Sequence, residues 1–401
     1  MGDQPASWSE EVWRDQLINF CQRLVCTPSL SGQEEAVAAL IRAEMERLGY
    51  DDVWVDQVGN VMGMIHGAGG PTVMLNCHMD QVDIGDATRW SHAPFGGDIK
   101  DGVIWGRGAS DTKGAIATQV YAVGLMKATG CQFPGDVYVT CVVHEETGSW
   151  GTKFLLNHLK TAVAILGEAT ANQIACGHRG RTEVIVHLQG RATHASTASH
   201  ETNLLFALAV FLQHVGSLSL PKDTTLGPAA LTPTRCYTDQ ESGNMTPGQV
   251  WLHLDWRSLP GDKPADLLDM LHDILEKSCP PGVTGTAELL AKNVRSYTGM
   301  TTSLPTSAPG YLLDETHSLV SSARRILEKH LRRPVRVAPW NFTTDGGYLT
   351  EAGIPTIGFS PCEEQYAHTT QDQVCIELML EAVQGTIALV AELPRYLSVA
   401  S

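Results

Sequence analysis

The sequence predicts an α/β protein: a mostly parallel sheet flanked by helices, with a smaller α+β module inserted into it. Three observations carry that reading. Short apolar β-runs alternate with helical stretches from Val53 to Leu166, as in a sheet covered by helices on both faces. After Gly177 the strands alternate polar and apolar residues instead, as half-exposed strands do. The length of 401 residues is room for about two or three domains.

The first helix is read from Trp13, Leu17, Phe20, Cys21 and Leu24, which recur at helical spacing behind a capping box of Ser7 and Glu10. A second follows, with Ser31 and Glu34 at its start, Val37, Leu40, Ile41, Met45 and Leu48 on one face, and Gly49 as its stop. Val53–Val55, Val61–Ile65 and Thr72–Cys77 then read as strands, and Gly67–Gly70 as a hairpin turn between the last two. Gly114–Ala128 has helical character, Asp136–Val143 is a dense β-run, Thr152–Leu159 is helical and Ala162–Leu166 is a short strand. Beyond Gly177 come a strand (Thr182–Leu188), an apolar helix (Asn203–Val215), a strand (Val250–Trp256), a helix (Pro264–Lys277) and a strand (Thr284–Ala291). That β-α-β-α-β run is the size of a separate domain. A Thr/Ser/Pro/Gly segment, 298–310, reads as the linker back to a helix (Leu312–His330) and a strand (Ile354–Phe359). The expected division is a catalytic domain over 1–176 and 297–401, interrupted by a module over 177–296.

Composition excludes several classes. Hydrophobic residues at 43% and charged residues at 18% describe an ordinary globular chain. Lys+Arg number 28 against 44 Asp+Glu, a net charge of −16, which argues against nucleic acid or an anionic membrane as partner. No stretch has the length of a membrane span. Early acids and the lack of an apolar run at the N-terminus lead us to expect no signal peptide, and a cytoplasmic location. The ten cysteines are scattered without a CxxC, which fits reduced thiols rather than a disulfide framework.

Four acidic or His-containing motifs stand at predicted strand ends, where an open α/β sheet presents its ligand site. His78 and Asp80 follow the 72–77 strand; residues two apart on extended chain point to one side, so Asp80 is placed to orient a ligating His78. Asp111 sits in Gly106–Gly114, three glycines around one carboxylate at a helix start, where a plain helix cap is the competing reading. Glu145 and Glu146 leave a buried strand together. A metal holds one of two such carboxylates, and the other takes a proton from water; a solvated acidic turn is the alternative. Glu168 closes the strand 162–166, and His368 follows the late strand 354–359. A His/carboxylate set without cysteine suits a hydrolytic pair of zinc, cobalt or manganese ions.

In order and spacing these motifs resemble the dinuclear zinc amidohydrolase/metallopeptidase family of acetylornithine deacetylase, succinyl-diaminopimelate desuccinylase, aminoacylase-1 and glutamate carboxypeptidase. The resemblance runs over nearly the whole chain. It implies two divalent metals, zinc foremost, held by His78, Asp111, Glu146, Glu168 and His368. Asp111 would bridge them, Asp80 would stand behind His78, and Glu145 would be the general base. It also implies that the inserted module is a ferredoxin-like lid that mediates homodimerisation. Within it, Gly190–Ser196 matches the family's Gly-x-x-x-His segment, so His194 would stabilise the oxyanion, in many members from the partner subunit. Asn244 and Arg257 match lid residues that hold a substrate carboxylate; a lid salt bridge is the other reading of Arg257.

His144 and Asn76–Cys77 depart from the commonest family patterns, and His178–Arg181 and Asp83–Asp86 resemble most a branch of selenium-metabolism-linked hydrolases. The expected activity is hydrolysis of an amide next to a free carboxylate, by metal-bound hydroxide with Glu145 as base. Glu at 168 leans this towards de-acylation of a small N-acyl amino acid. A dipeptidase or carboxypeptidase with the same metals is the alternative, and a non-catalytic binding protein on the same fold the remote one.

Overall fold

The computed structural model describes residues 10–397; the capping box read at Ser7 lies outside them. The first helix, Glu10–Val25, and the second, Glu35–Arg47, lay Leu17, Phe20, Leu24, Val37, Ile41 and Met45 into the main core. That core lies under an eight-stranded sheet whose order is Asp52–Val55, Val61–Ile65, Gly135–Val142, Gly70–His78, Val163–Leu166, Thr356–Gly358, Ile174–Ala175, Val337–Ala338. The four pairings among 135–142, 70–78, 163–166, 356–358 and between 174–175 and 337–338 are parallel. The 52–55 and 61–65 strands and the contact of Gly358 with Ala175 are antiparallel. This is the mostly parallel sheet the sequence predicts. Helices Gly114–Ala128 and Ile376–Glu392 pack against it, and the former is buried almost all round.

One expected pairing is corrected. Gly67–Gly70 does not close a hairpin, because strand 135–142 lies between 61–65 and 70–78. The glycines serve close approach instead: a Cβ on Gly67 would run into the Gly135 carbonyl, and one on Gly70 into that of Pro134. The hairpin in this region joins 52–55 to 61–65, with the Asp56 carboxylate accepting the N–H groups of Val58, Gly59 and Asn60 at 2.9–3.0 Å.

A second antiparallel sheet runs Ala230–Thr238, Gln249–Arg257, Arg181–Gln189, Thr284–Leu289, with helices Leu204–Gly216 and Pro264–Ser278 over its own core of Val184, Val186, Phe211, Leu252, Leu271 and Leu275. Strand 230–238 is absent from the sequence reading, so the module is β-α-β-β-α-β, a ferredoxin-like order. The polar segment 298–310 is also corrected. Its residues Thr301–Pro305 pair with Ala291–Arg295 as a hairpin. Tyr297 Oη donates to the Gly59 carbonyl at 2.8 Å and Thr298 to that of Gln57 at 2.7 Å, which ties the hairpin to the main domain. All ten cysteines are free. No helix among the described residues is long and apolar enough to cross a membrane.

Candidate metal centre

The ends of the parallel strands bring the predicted motifs together. His78 closes strand 70–78 and is 2% exposed. Its Nδ1–H donates to the main-chain carbonyl of Asp80 at 2.9 Å. That fixes the tautomer and leaves Nε2 as the ligating atom. Nε2 lies 2.8 Å from Asp111 Oδ1 and 3.6 Å from Glu168 Oε1. The other Asp111 oxygen, Oδ2, lies 2.9 Å from His368 Nε2, which is also 2.9 Å from Glu146 Oε1. Two triads result, His78–Asp111–Glu168 and Asp111–Glu146–His368, each with donor atoms within 4.8 Å of one another. Asp111 is shared, one oxygen to each. It does not cap the helix at Gly114, where no side-chain cap bond forms.

Asp80 orients His78 differently from the sequence reading. Its main-chain carbonyl holds the ring, while the carboxylate stands 3.6 Å from Nδ1. That carboxylate instead accepts the N–H groups of Glu145 at 3.0 Å and Glu146 at 3.2 Å and the Ser31 hydroxyl at 2.6 Å. His144, beside them at φ 55°, places Nδ1 2.8 Å from Thr147 Oγ1 and donates from Nε2 to the Arg295 carbonyl at 3.1 Å. The turn carrying the two glutamates is thus pinned from both sides.

Asp111 is aimed by a residue that sequence reasoning missed. Asp372, fully buried, accepts the N–H groups of Gly108 at 2.7 Å and Ser110 at 2.8 Å and pairs with Arg107 at 3.1 Å. Four residues past His368, it couples the segments that carry both ends of the second triad.

The electrostatics call for cations. Burial, and secondarily the charge of Asp111, pushes Glu168 up to about 8. Burial and Asp111 also raise Glu146, and burial with the surrounding acids raises Glu145 well above the carboxylate range. His368 is pushed up to about 10 by its bonds to Asp111 and Glu146. At His78 burial opposes the charge, yet the bonds to Asp111 and Asp80 prevail and raise it well above 6.5. Crowded carboxylates that lift two imidazoles in this way want positive charge, which a divalent ion at each triad would supply in place of protons. The donors are imidazole nitrogen and carboxylate oxygen without sulfur, a set that suits such ions.

The two triads open into a cleft of about 440 Å³ lined by Asp111, Glu145, Glu146, Glu168 and His368 together with Arg181, Arg257 and Lys292. Arg257 is therefore brought to the site, with its Nε donating to Asp255 at 2.7 Å. Arg181 and Lys292 are further residues that the sequence reading did not assign. His194 and Asn244 are not among the lining residues. They lie together on the module, where Ala195 N–H donates to the Asn244 carbonyl at 2.8 Å and both side chains are exposed.

Residues 74–392 match the model of peptidase family M20/M25/M40. The chain belongs to this family. As a member it is a metallohydrolase acting on amide or peptide bonds. Among its relatives, Escherichia coli (strain K12) uncharacterized protein YgeY is 29% identical over 369 residues, 90% of each chain. Succinyl-diaminopimelate desuccinylase of Wolinella succinogenes is 25% identical over 392 residues, 93% of this chain and 98% of the relative. Of solved structures, aminopeptidase PepT from Bacillus cereus superposes with a TM-score of 0.76 at 20% identity, over 94% of this chain and 98% of that one. That likeness establishes the shared M20 fold.

Proposed function

We propose that this M20 chain de-acylates N-acyl amino acids, hydrolysing an amide bond next to a free carboxylate. The observation that supports this most directly is Arg257 lining the same cleft as Glu145, since the arginine fork bonds both oxygens of a carboxylate. Similarity to a desuccinylase points the same way. In this reading His78, Asp111, Glu146, Glu168 and His368 hold two divalent ions, zinc foremost and cobalt or manganese as alternatives. Bound there, the ions would acidify water and polarise the scissile carbonyl. Glu145 takes the proton of the attacking water and returns it to the leaving amine. Its raised pKa suits a carboxyl that must both accept and release a proton. Asp80 steadies His78 and the Glu145 turn, Arg257 holds the substrate carboxylate, and Asn244, beside His194 and away from the cleft of its own chain, would reach that carboxylate from a partner subunit.

We further infer a catalytic domain over 1–176 and 297–401 and a lid over 177–296. His194 donates to the oxyanion from the partner subunit of a homodimer, which accounts for its position away from the cleft of its own chain. Leu205, Phe206 and Val210, 47%, 45% and 38% exposed on the helix 204–216, and the outer strand 230–238 support a dimer through the lid. A cytoplasmic enzyme without nucleic-acid or membrane partners fits the net charge of −16.

A hydrolysis screen of N-acyl amino acids and free dipeptides, with added zinc, cobalt or manganese, tests this reading. Turnover of N-acyl amino acids supports it; turnover of dipeptides alone replaces it with a dipeptidase using the same residues.

A further inference from the structure

The cleft carries its cations on two different elements. Arg181 and Arg257 flank the register pair Thr182–Trp256 on adjacent antiparallel strands. Asp255 lies between them, accepting Arg181 Nε at 2.9 Å and Arg257 Nε at 2.7 Å, and Arg181 Nη2 is 2.8 Å from Glu183. Among the described residues Arg257, which lines the cleft, is engaged only through Nε, so its two terminal amino groups are left for a ligand. Lys292 stands apart, on the hairpin 291–305, and its ammonium has no hydrogen-bond or ion-pair partner among the described residues.

The hairpin is a fixed mount rather than a loose arm. Its tip is bonded to Gly59 and Gln57, the strand end next to that tip, Arg295, to His144, and Leu304, the register partner of Lys292, is buried in the main core. At its base the Leu290 N–H donates to the Glu183 carbonyl at 2.9 Å. Lys292 is two residues beyond Leu290, roughly 7 Å of extended chain, and Glu183 is two residues from Arg181. The cations therefore line one region of the same cleft. Asp255 and Glu183 both engage the arginines, and neither reaches Lys292. Glu364, the other acid lining the cleft away from the triads, is 3.4 Å from Asn341 Nδ2.

We propose that the cleft takes substrates with two acidic groups, one held by the Arg181–Arg257 pair beside the scissile amide and the second by Lys292. The inference rests on the de-acylase reading and names its substrate class: N-acyl amino acids with a second carboxylate on the side chain or on the acyl group.

The test titrates metal-loaded protein with glutarate and with glutaric monoamide, its neutral-ended isostere, by calorimetry. Glutarate should bind about tenfold tighter, the order of a hydrogen bond to a charged group, and Lys292→Gln, an exposed change, should abolish the preference. Equal affinities, or a preference that survives Lys292→Gln, overturn the proposal. Turnover locates the second acid: kcat/KM for N-acetyl-L-glutamate against N-acetyl-L-glutamine probes the side chain, and N-succinyl-L-alanine against N-succinamoyl-L-alanine probes the acyl group. Turnover with no preference in either pair overturns the proposal as well. If none of the four is hydrolysed while the Lys292-dependent glutarate preference holds, the de-acylase reading fails and the two-anion cleft stands.

Discussion

The Asp80 carboxylate accepts the Glu145 N–H at 3.0 Å, while the Asp80 main-chain carbonyl accepts the His78 ring at 2.9 Å. One residue thereby sets the distance between a metal-facing imidazole and the candidate general base. Asp80→Asn presents an amide NH2 where two backbone N–H groups need acceptors, so the Glu145–Glu146 turn should loosen. Metal affinity should fall by about 10–100-fold, the usual effect of removing such a supporting group, and kcat should fall further at saturating metal. Metal content after dialysis, with kcat measured in excess metal, checks this; both unchanged would show that the Asp80 bonds do not hold the turn.

Glu145→Gln keeps the size and the turn but cannot carry a proton. Turnover should drop to background while metal content stays near normal, because the ligating set does not include Glu145. Full activity in this variant would remove Glu145 from the base role.

Much of the candidate metal centre was legible because His78, the Glu145–Glu146 pair and Glu168 follow strand ends, where chain direction alone tells which way the site lies. Asp111 and His368 stand in turns that read as a helix cap and a loop on their own, and only the order and spacing of all the motifs together joined them to His78, Glu146 and Glu168. Other features needed long-range knowledge. Strand 230–238 reads Ala-Leu-Thr-Pro-Thr-Arg-Cys-Tyr-Thr, an outer strand with a register shift between Pro233 and Arg235, so no period-two pattern marks it. The insertion of 135–142 between 61–65 and 70–78 is a matter of strand order, which sequence adjacency does not reveal. Asp372 owes its role to partners more than 260 residues away, and Lys292 to the lack of any among the described residues.

Asp372 and Arg107 form a buried pair, 0% and 3% exposed at the side chain. Removing one partner of such a pair strands the other charge, so Asp372→Ala should cost about 3–5 kcal/mol of stability. Arg107→Met/Asp372→Leu, which removes both charges, should recover a large part of that. Urea unfolding of the three proteins decides it; a single variant as stable as the parent would mean that Arg107 finds other compensation.

If His194 acts from the partner subunit, His194→Ala should lower kcat by roughly 10²–10³-fold, the order for one oxyanion donor. Mixing it with Glu145→Gln should then restore part of the activity, because some mixed dimers carry one site with both residues intact. Absence of recovery, with subunit exchange verified by a tagged copy, would place His194 in its own chain's site or make the enzyme a monomer.

His178 lies away from the metal ligands and is completely buried. Its Nδ1–H donates to the Arg179 carbonyl at 2.9 Å and its Nε2 accepts the Thr344 N–H at 3.2 Å, so both nitrogens are committed to the neutral ring. The Tyr311 ring stands edge-on at 4.9 Å between centroids. Burial lowers its pKa from 6.5 to about 4. Above pH 6.5 the ring is neutral folded or unfolded, and its contribution to stability is complete. As pH falls from there towards 4, only the unfolded chain takes up the proton, so stability is lost across that window. Between about pH 7.5 and about pH 5 the loss assignable to this one group is about 2 kcal/mol. His178→Gln cannot titrate, and its unfolding free energy should fall by that much less over the same interval. Parallel pH profiles for parent and variant would show that His178 takes up its proton without unfolding the chain.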